Sequence, residues 1–427
     1  SAINEEMKLA AVHAIAALAK KPVPDIVNEA YKVNNFTFGP DYFIPKPVDP
    51  RLITDVSIAV AKAAMASGVA RKEITDWDAY REHLKELMGF ESEFIRQLYT
   101  TARTAPQRVV FAEGNHPNMI KAAVEARSEG ICKPILLGND ERITKTARKL
   151  KLSLDGVEII NLRHDKEAAR RAKYAGILAK KRAREGATYD EACDKMFEPN
   201  YFGMMMVETG DADAFITGTY TKYSNTIKVA KEVIGIRPGF DHFGTMHIVN
   251  SKKGTYYLAD TLINRHPDTK ALIDIALLAD HTVKFFNHEP VMAMVSYSNF
   301  GADAVGSPKT VHEAVDYIQK EHPDILIDGE MQVNFALDDQ LRDRKFPFNK
   351  LKGKVVNTLL FPNLSSANSA YKLIQAMSDA EMIGPIQMGL NKPVHFTDIE
   401  SSVRDIVNIT VVAVIDAIVA KKIETKE

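Results

Sequence analysis

Short apolar segments alternate with helical segments from residue 108 to the end of the chain. The first apolar segment, residues 108–112, is followed by a helix that ends near Gly130. The later predicted strands are residues 134–137, 214–216, 292–297, 325–327, 355–361 and 383–390. Such alternation predicts an α/β fold with a parallel sheet covered by helices on both faces.

Residues 245–259 depart from this pattern, because they read as two strands around the turn Ser251-Lys252-Lys253-Gly254. An antiparallel hairpin within a parallel pattern predicts a second lobe inserted into the first. We therefore divide the chain into a helical segment, residues 1–90, a first lobe, residues 91–235 plus 385–427, and a second lobe, residues 236–384.

The first ninety residues lack strand patterns. Two Ala-rich helices are predicted at residues 5–20 and 51–67, and a third opens at Asp76. Between the first two lies a Pro-rich connection, residues 42–51, whose proline density excludes helix and sheet interiors. Three such helices cannot enclose a sizeable core, and the chain begins inside a helical pattern. We expect an excised piece of a longer protein.

Composition excludes several classes of protein. The formal net charge of −1 provides no basic face for nucleic acid. The most apolar late stretch, residues 406–420, contains Asn408 and Asp416 and is too short to span a membrane, so we expect a helix of the core or of an interface. Cys132 and Cys193 lie far apart, and no secretory signal precedes the helices, so we expect a cytoplasmic protein without disulfides.

Polar loops follow several predicted strands, and ligands of α/β folds bind at that edge of the sheet. These loops are residues 296–301, 328–332, 362–372 and 391–394. The hydroxyl groups and the glycine of residues 296–301 suit a phosphate or a pantetheine chain, or an ordinary turn. The dinucleotide, Walker and esterase-elbow signatures are absent, and no histidine pair has metal-ligand spacing.

Five of these segments, taken in order, resemble phosphotransacetylase. They are residues 259–267, 296–301, 328–332, 361–372 and 384–394. The resemblance implies a two-lobed domain of the isocitrate/isopropylmalate dehydrogenase type. Residues 4–8, 42–51 and 67–70 are similar to the C-terminal tail of bacterial malic enzyme. The combination resembles the multifunctional, NADP-dependent malic enzymes, which implies that the malate, NADP and divalent metal (Mg or Mn) sites lie mostly before Ser1.

The resemblance also implies where catalytic groups of phosphotransacetylase fall. Its base, an aspartate that takes the thiol proton, corresponds to Asp405, but its serine–arginine pair corresponds to Asp398 and Ile399. A second arginine corresponds to Lys228. Isoleucine cannot donate a hydrogen bond to phosphate, and a carboxylate repels phosphate. We expect acetyl transfer to be weak or absent. Asp398 alternatively serves altered chemistry, and Asp405 either contacts the ligand or caps the C-terminal helix.

The resemblance predicts that acetyl-CoA binds in the cleft between the lobes. The implied contacts are Lys228, Ser296, Tyr297, Ser298, Asn299, Gly301, Asn368, Tyr371, Lys372, Gln387, Leu390, Asn391 and Lys392. Three functions stay open: a regulatory domain that reports acetyl-CoA to its own malic enzyme domain, a working phosphate acetyltransferase, and a domain that only oligomerises its partner. A homodimer is implied, with the C-terminal helix at the interface or in the core, and a higher homo-oligomer in the full-length protein.

Overall fold

Two β-sheets organise the chain from residue 93 onward. The structure, a computed structural model, describes residues 3–33, 36–88, 93–218, 220, 223–378, 380–398 and 401–424. The strands are β1 Gln107–Phe111, β2 Cys132–Leu137, β3 Glu158–Ile160, β4 Ala214–Thr217, β5 Gly244–Ser251, β6 Gly254–Ala259, β7 Met292–Val295, β8 Ile327–Met331, β9 Thr358–Leu360, β10 Glu381–Met388 and β11 Val394–Phe396.

Helices precede the sheets and cover them. They are α1 Glu5–Ala19, α2 Asp25–Ala30, α3 Arg51–Ala66, α4 Trp77–Met88, α5 Glu93–Arg103, α6 Pro117–Ser128, α7 Asp140–Lys149, α8 Ala168–Lys181, α9 Tyr189–Lys195, α10 Pro199–Glu208, α11 Tyr223–Val233, α12 Thr269–Phe285, α13 Gly306–Glu321, α14 Val333–Leu337, α15 Asp339–Lys345, α16 Leu364–Met377 and α17 Val403–Glu424. Within the ranges that the structure describes, no helix combines the length and the apolar character needed to cross a membrane.

The N-terminal segment is helical, as predicted. Asn4 begins α1 by accepting a hydrogen bond from the Met7 N–H at 2.9 Å. The Asn4 side chain also donates to Ser67 Oγ at 2.8 Å, which fixes the start of α1 against the end of α3. In residues 3–33 and 36–88 the only strand-like pairing is an isolated bridge between Gly39 and Tyr42. The predicted helices at residues 5–20, 51–67 and from Asp76 are confirmed within a few residues.

The first sheet has the strand order β11-β4-β1-β2-β3, and all its pairings are parallel. The second has the order β10-β5-β6-β9-β7-β8. In it, β5 and β6 form the predicted antiparallel hairpin, while β6, β9, β7 and β8 run parallel. The predicted two-lobed α/β architecture is therefore confirmed.

One strand was misplaced by the sequence pattern. The strand predicted at residues 325–327 is β8, which begins at Ile327 and continues through Met331, so most of the predicted loop 328–332 is a buried strand. The charged side chain of Asp328 predicts a loop, but this side chain is buried and its hydrogen-bond partners come from other segments of the protein. Asp328 Oδ2 accepts from the Lys350 N–H at 2.7 Å, and Oδ1 accepts from Gln319 Nε2 at 3.2 Å.

Helix α17 lies in the core of the single chain. It packs against α5, α6, β1, β4 and β10, so it touches elements of both lobes. Its apolar residues from Ile406 to Ile418 are buried without any partner chain. The structure therefore supports the core alternative for this helix, and the apolar positions expected at a dimer interface are already covered. Homodimerisation itself stays a prediction.

The chain passes between the lobes twice, and the two passages are hydrogen-bonded to each other. The first lies between α11 and β5, and the second lies between β10 and β11. Ile236 forms an isolated bridge with Leu390, and the Asn391 N–H donates to the Gly235 carbonyl at 3.1 Å. The predicted boundary at residue 385 falls inside β10, which pairs with β5 through Met388. The second lobe therefore extends a few residues beyond that boundary.

Candidate functional site

Side chains of both lobes meet where α11 and the end of β11 face α16 and β10. Tyr223 of α11 donates its hydroxyl to Gln387 Oε1 of β10 at 3.2 Å. Lys372 of α16 places Nζ 3.4 Å from Oδ2 of Asp398, which follows β11. Both pairs join the first lobe to the second. We define this interlobe cleft by Tyr223, His247, Tyr371, Lys372, Gln387 and Asp398.

An imidazole–phenol stack forms the second-lobe wall of the cleft. The rings of His247 and Tyr371 are parallel within 13° and their centroids are 4.2 Å apart. His247 Nδ1 lies 2.8 Å from Thr261 Oγ1. Gly384 leaves room for the imidazole, because a Cβ there would overlap the His247 ring. Burial, together with the nearby Lys372 and against the opposing effect of Asp398, lowers the pKa of His247 to about 3, so this ring is neutral at physiological pH.

The hydroxyl of Tyr371 is held by polar neighbours. Burial raises the pKa of Tyr371, and hydrogen bonds with Lys372 and Asn368 oppose that rise. Burial lowers the pKa of Lys372, but the nearby Tyr371 and Asp398 outweigh it, so the pKa is raised overall and the ammonium stays charged. Burial also raises the pKa of Tyr223. The cleft therefore presents neutral ring groups around one ammonium–carboxylate pair.

Asp398 occupies a fixed position at the end of β11. The preceding residue, Thr397, donates both its N–H and its hydroxyl to the Thr217 carbonyl, at 2.7 and 3.2 Å. The Asp398 N–H donates to Ser401 Oγ at 2.9 Å. Ile399, the predicted replacement of the family's arginine, lies outside the described residues.

Asp405 lies in the first turn of α17. Its Oδ2 accepts from the N–H and the hydroxyl of Ser402 at 2.9 and 2.8 Å, and Ser402 Oγ accepts from the Asp405 N–H at 3.2 Å. This reciprocal pattern is that of a helix cap. Of the two roles predicted for Asp405, the geometry fits the cap.

The loop at residues 296–301 belongs to a different part of the same sheet edge. Its backbone is organised by the buried Glu330, whose Oε1 accepts from the Gly301 N–H at 2.6 Å and from Ser298 Oγ at 3.3 Å. Asn299 Oδ1 accepts from the Gln332 N–H at 2.9 Å, and the exposed Tyr297 bonds Asp303. Three strands separate β7 from β10. At about 4.8 Å per strand, the strand that carries this loop lies roughly 19 Å from Gln387.

Three further predicted contacts, Leu390, Asn391 and Lys392, lie on the second passage between the lobes. Leu390 is buried there. Lys228 lies on α11, five residues after Tyr223, where its side chain is 72% exposed and its ammonium is 3.8 Å from Glu232 Oε1. The structure therefore brings Tyr371, Lys372 and Gln387 to one point, with Asn368 beside Tyr371, and distributes the other predicted contacts along the edges of both lobes.

Sequence reasoning missed several residues of the cleft and of the adjoining edge of the first sheet. Neither Tyr223 nor His247 was expected. At the end of β1, Glu113 accepts hydrogen bonds from the N–H groups of Gly218 and Tyr220 at 2.9 and 2.7 Å. His116 lies 4.7 Å from the Tyr220 ring, and burial lowers the pKa of His116. A histidine inside an apolar strand and a carboxylate directly after one were the available signals.

The described residues contain no group of three or more His, Cys, Asp or Glu side chains arranged to hold a metal ion. The site defined here is a polar cleft between two α/β lobes, with one interlobe ion pair and a neutral aromatic wall.

The chain belongs to the phosphate acetyl/butaryl transferase family, whose sequence profile matches residues 93–414. It is similar in structure to a phosphotransacetylase from Streptococcus pyogenes, with a TM-score of 0.69, 30% identity, and coverage of 76% of this chain and 99% of that one. The EutD phosphotransacetylase from Staphylococcus aureus gives a TM-score of 0.68 at 26% identity, with coverage of 76% and 99%.

Curated relatives extend the similarity to the N-terminal helices. The chain is 39% identical to the NADP-dependent malic enzyme of Escherichia coli (strain K12) over 423 residues, which are 98% of this chain and 55% of that enzyme. It is 31% identical to the phosphate acetyltransferase of Synechocystis over 321 residues, or 75% of this chain and 46% of that enzyme. The chain thus spans about half the length of the curated relatives that it matches.

Proposed function

We propose that this chain is the acetyl-CoA-binding regulatory part of a cytoplasmic, NADP-dependent malic enzyme. The observation that carries the proposal is the extent of similarity: malic enzymes match 98% of the chain, including the N-terminal helices, whereas a phosphate acetyltransferase matches 75%. The counterparts of the N-terminal helices and of the transacetylase-like domain therefore lie in the same relative, a malic enzyme.

The cleft supports a ligand that crosses from one lobe to the other. Such a ligand would contact Tyr371, Lys372 and Gln387 at one end and the polar edge of either sheet at the other. A ligand that binds one lobe arrangement more tightly shifts the population toward it by its differential affinity. The N-terminal helices would pass that change to the malate-oxidising part, where the divalent metal and NADP would bind.

Two features argue against a working acetyltransferase. The carboxylate of Asp398 lies beside Lys372 and pairs with the ammonium that a bound phosphate would need as its counter-ion. The carboxylate of Asp405 accepts two hydrogen bonds from Ser402, so it caps the start of α17 and is not directed at a ligand thiol. Loss of a positioned donor to a transition-state charge typically lowers the rate by roughly 10²–10³-fold.

The test measures two activities of the full-length protein. We expect acetyl-CoA to lower the rate of malate oxidation, as feedback from a product formed further along from pyruvate. We also expect acetyl-CoA and phosphate together to release free thiol at least about 100-fold more slowly than a phosphotransacetylase assayed in parallel. Thiol release at the rate of that enzyme would overturn the regulatory assignment in favour of a rewired phosphate acetyltransferase.

A matched pair of variants on α16 connects this effect to the cleft. Asn368→Ala removes a side chain that bonds Tyr371, and we expect about tenfold more acetyl-CoA to be needed for the same effect, as for one lost hydrogen bond. Leu373→Ala changes a residue of the same helix that is 58% exposed, and should leave the response unchanged. Equal responses of both variants and the wild type would contradict a ligand in this cleft.

A further inference from the structure

The ion pair between Lys372 and Asp398 is held in place from both sides. Asp398 follows Thr397, which is anchored to Thr217 by two hydrogen bonds, and the Asp398 N–H is bonded to Ser401. Lys372 follows Tyr371, which is buried against His247. These contacts position the backbone on both sides of the pair, whose side chains are 48% and 50% exposed.

The ammonium of Lys372 has a counter-ion in the cleft without any ligand. His247 is neutral because burial lowers its pKa to about 3, and burial keeps the phenols of Tyr371 and Tyr223 protonated. Lys372 is the cation that acts on both His247 and Tyr371, and Asp398 already faces it. An anion that enters the cleft would meet an ammonium that is already paired with Asp398, and the Asp398 carboxylate would lie beside it.

We infer that Asp398 is a specificity-determining residue, a built-in counter-ion that excludes inorganic phosphate and acyl phosphates from the Lys372 position and admits an uncharged acyl group there. The inference deepens the proposed function and rests on it only for the identity of the admitted ligand. A thioester carbonyl accepts a hydrogen bond from the ammonium and carries no charge for Asp398 to repel. A phosphate at the same place carries nearly two negative charges, which the half-exposed carboxylate of Asp398 repels.

Calorimetric titration of the full-length protein tests the inference with three probes: inorganic phosphate, acetyl phosphate and acetyl-CoA. We expect the wild type to bind neither phosphate compound at millimolar concentration. Asp398→Asn, which has the same shape without the charge, should bind both at least about tenfold more tightly. Its affinity for acetyl-CoA should change by less than about threefold, and added phosphate should now compete with acetyl-CoA.

Asp241→Asn is the charge-matched control, because it removes the same charge from a side chain that is 76% exposed. It should bind phosphate no better than the wild type. Asp398→Ser provides a second route to the same result if the asparagine variant does not fold. Equal phosphate affinity in the wild type and both Asp398 variants would overturn the inference. Gain of phosphate binding without any acetyl-CoA binding would instead refute the proposed function and leave the role of Asp398 standing.

Discussion

His247 places a polar ring in β5 between two fully buried apolar residues, Met246 and Ile248. The imidazole is covered by Tyr371 and bonded to Thr261, and Gly384 is the residue that leaves space for it. The ring is therefore retained in its neutral form at the junction of α16, β5 and β10. Its burial makes the stability of the second lobe sensitive to pH.

We predict that stability falls as the pH drops below about 6.5, in part because of His247. Its pKa is 6.5 when unfolded and about 3 when folded, so protons bind preferentially to the unfolded chain in this window. The contribution is fully present above pH 6.5 and decreases by up to about 1.4 kcal/mol per pH unit on the way to pH 3. Urea unfolding between pH 7.5 and 4.5 should show a shallower pH slope for His247→Gln than for the wild type. Parallel slopes would refute the prediction.

Single residues also mark the limit of what the sequence predicts. Tyr371, Lys372 and Gln387 were found because they lie in segments that resemble a known family. Tyr223 and His247 were missed because each comes from an element that contributes one polar side chain to the cleft. Only the packing of α11 and β5 against the segments already recognised brings these two side chains to the site.

Helix α17 connects the lobes at the level of secondary structure. It packs against α5 and α6 of the first lobe and against β10 of the second sheet. Its burial explains why the sequence shows an apolar stretch long enough to suggest an interface. The pattern alone cannot distinguish a helix covered by its own chain from one covered by another chain, because both bury the same residues.

Two truncations in α17 separate its buried and exposed positions. Ile409→Ala removes a side chain that is fully buried, and should lower the free energy of unfolding by about 2–5 kcal/mol. Ile423→Ala, in the last turn of the same helix, changes a side chain that is 49% exposed, and should alter it by less than about 0.5 kcal/mol. Denaturant midpoints at unchanged slope measure both. Similar losses for the two variants would show that the helix is not packed as described.

Strand β8 shows how far element boundaries can be predicted. Four residues after Ile327 were assigned to a loop because Asp328 and Glu330 are charged and Gly329 lies between them. Both carboxylates are buried and accept hydrogen bonds from nearby N–H groups. The sequence does not show that these buried carboxylates have hydrogen-bond donors, because the donors are close in space but more than twenty residues away along the chain.

At the scale of the whole molecule, a helical N-terminal segment precedes two sheets that are joined by a pair of hydrogen-bonded passages. Alternation of strands and helices predicted both lobes, and the hairpin at residues 245–259 correctly indicated the inserted one. The order of strands within each sheet could not be predicted from the sequence, because strands of similar composition fit several positions in a sheet equally well. The interlobe contacts Tyr223–Gln387 and Lys372–Asp398 depend on that order.

A ligand that spans the cleft should stabilise the molecule as a whole. At a concentration a hundredfold above its Kd, acetyl-CoA should raise the free energy of unfolding by about 2.7 kcal/mol. Thermal unfolding at increasing acetyl-CoA measures this, with ATP as a phosphate-bearing control that lacks the pantetheine arm. An unchanged midpoint at millimolar acetyl-CoA would mean that the cleft does not bind it.

The double passage between the lobes determines the order in which this protein can fold during its synthesis. Strand β11 and helix α17 complete the first sheet and its core, yet they are synthesised only after every strand of the second sheet. The second lobe is translated entirely before them. The lobe begun first is therefore completed only after the inserted lobe, and four strands of its sheet lack β11 until the inserted lobe has been synthesised.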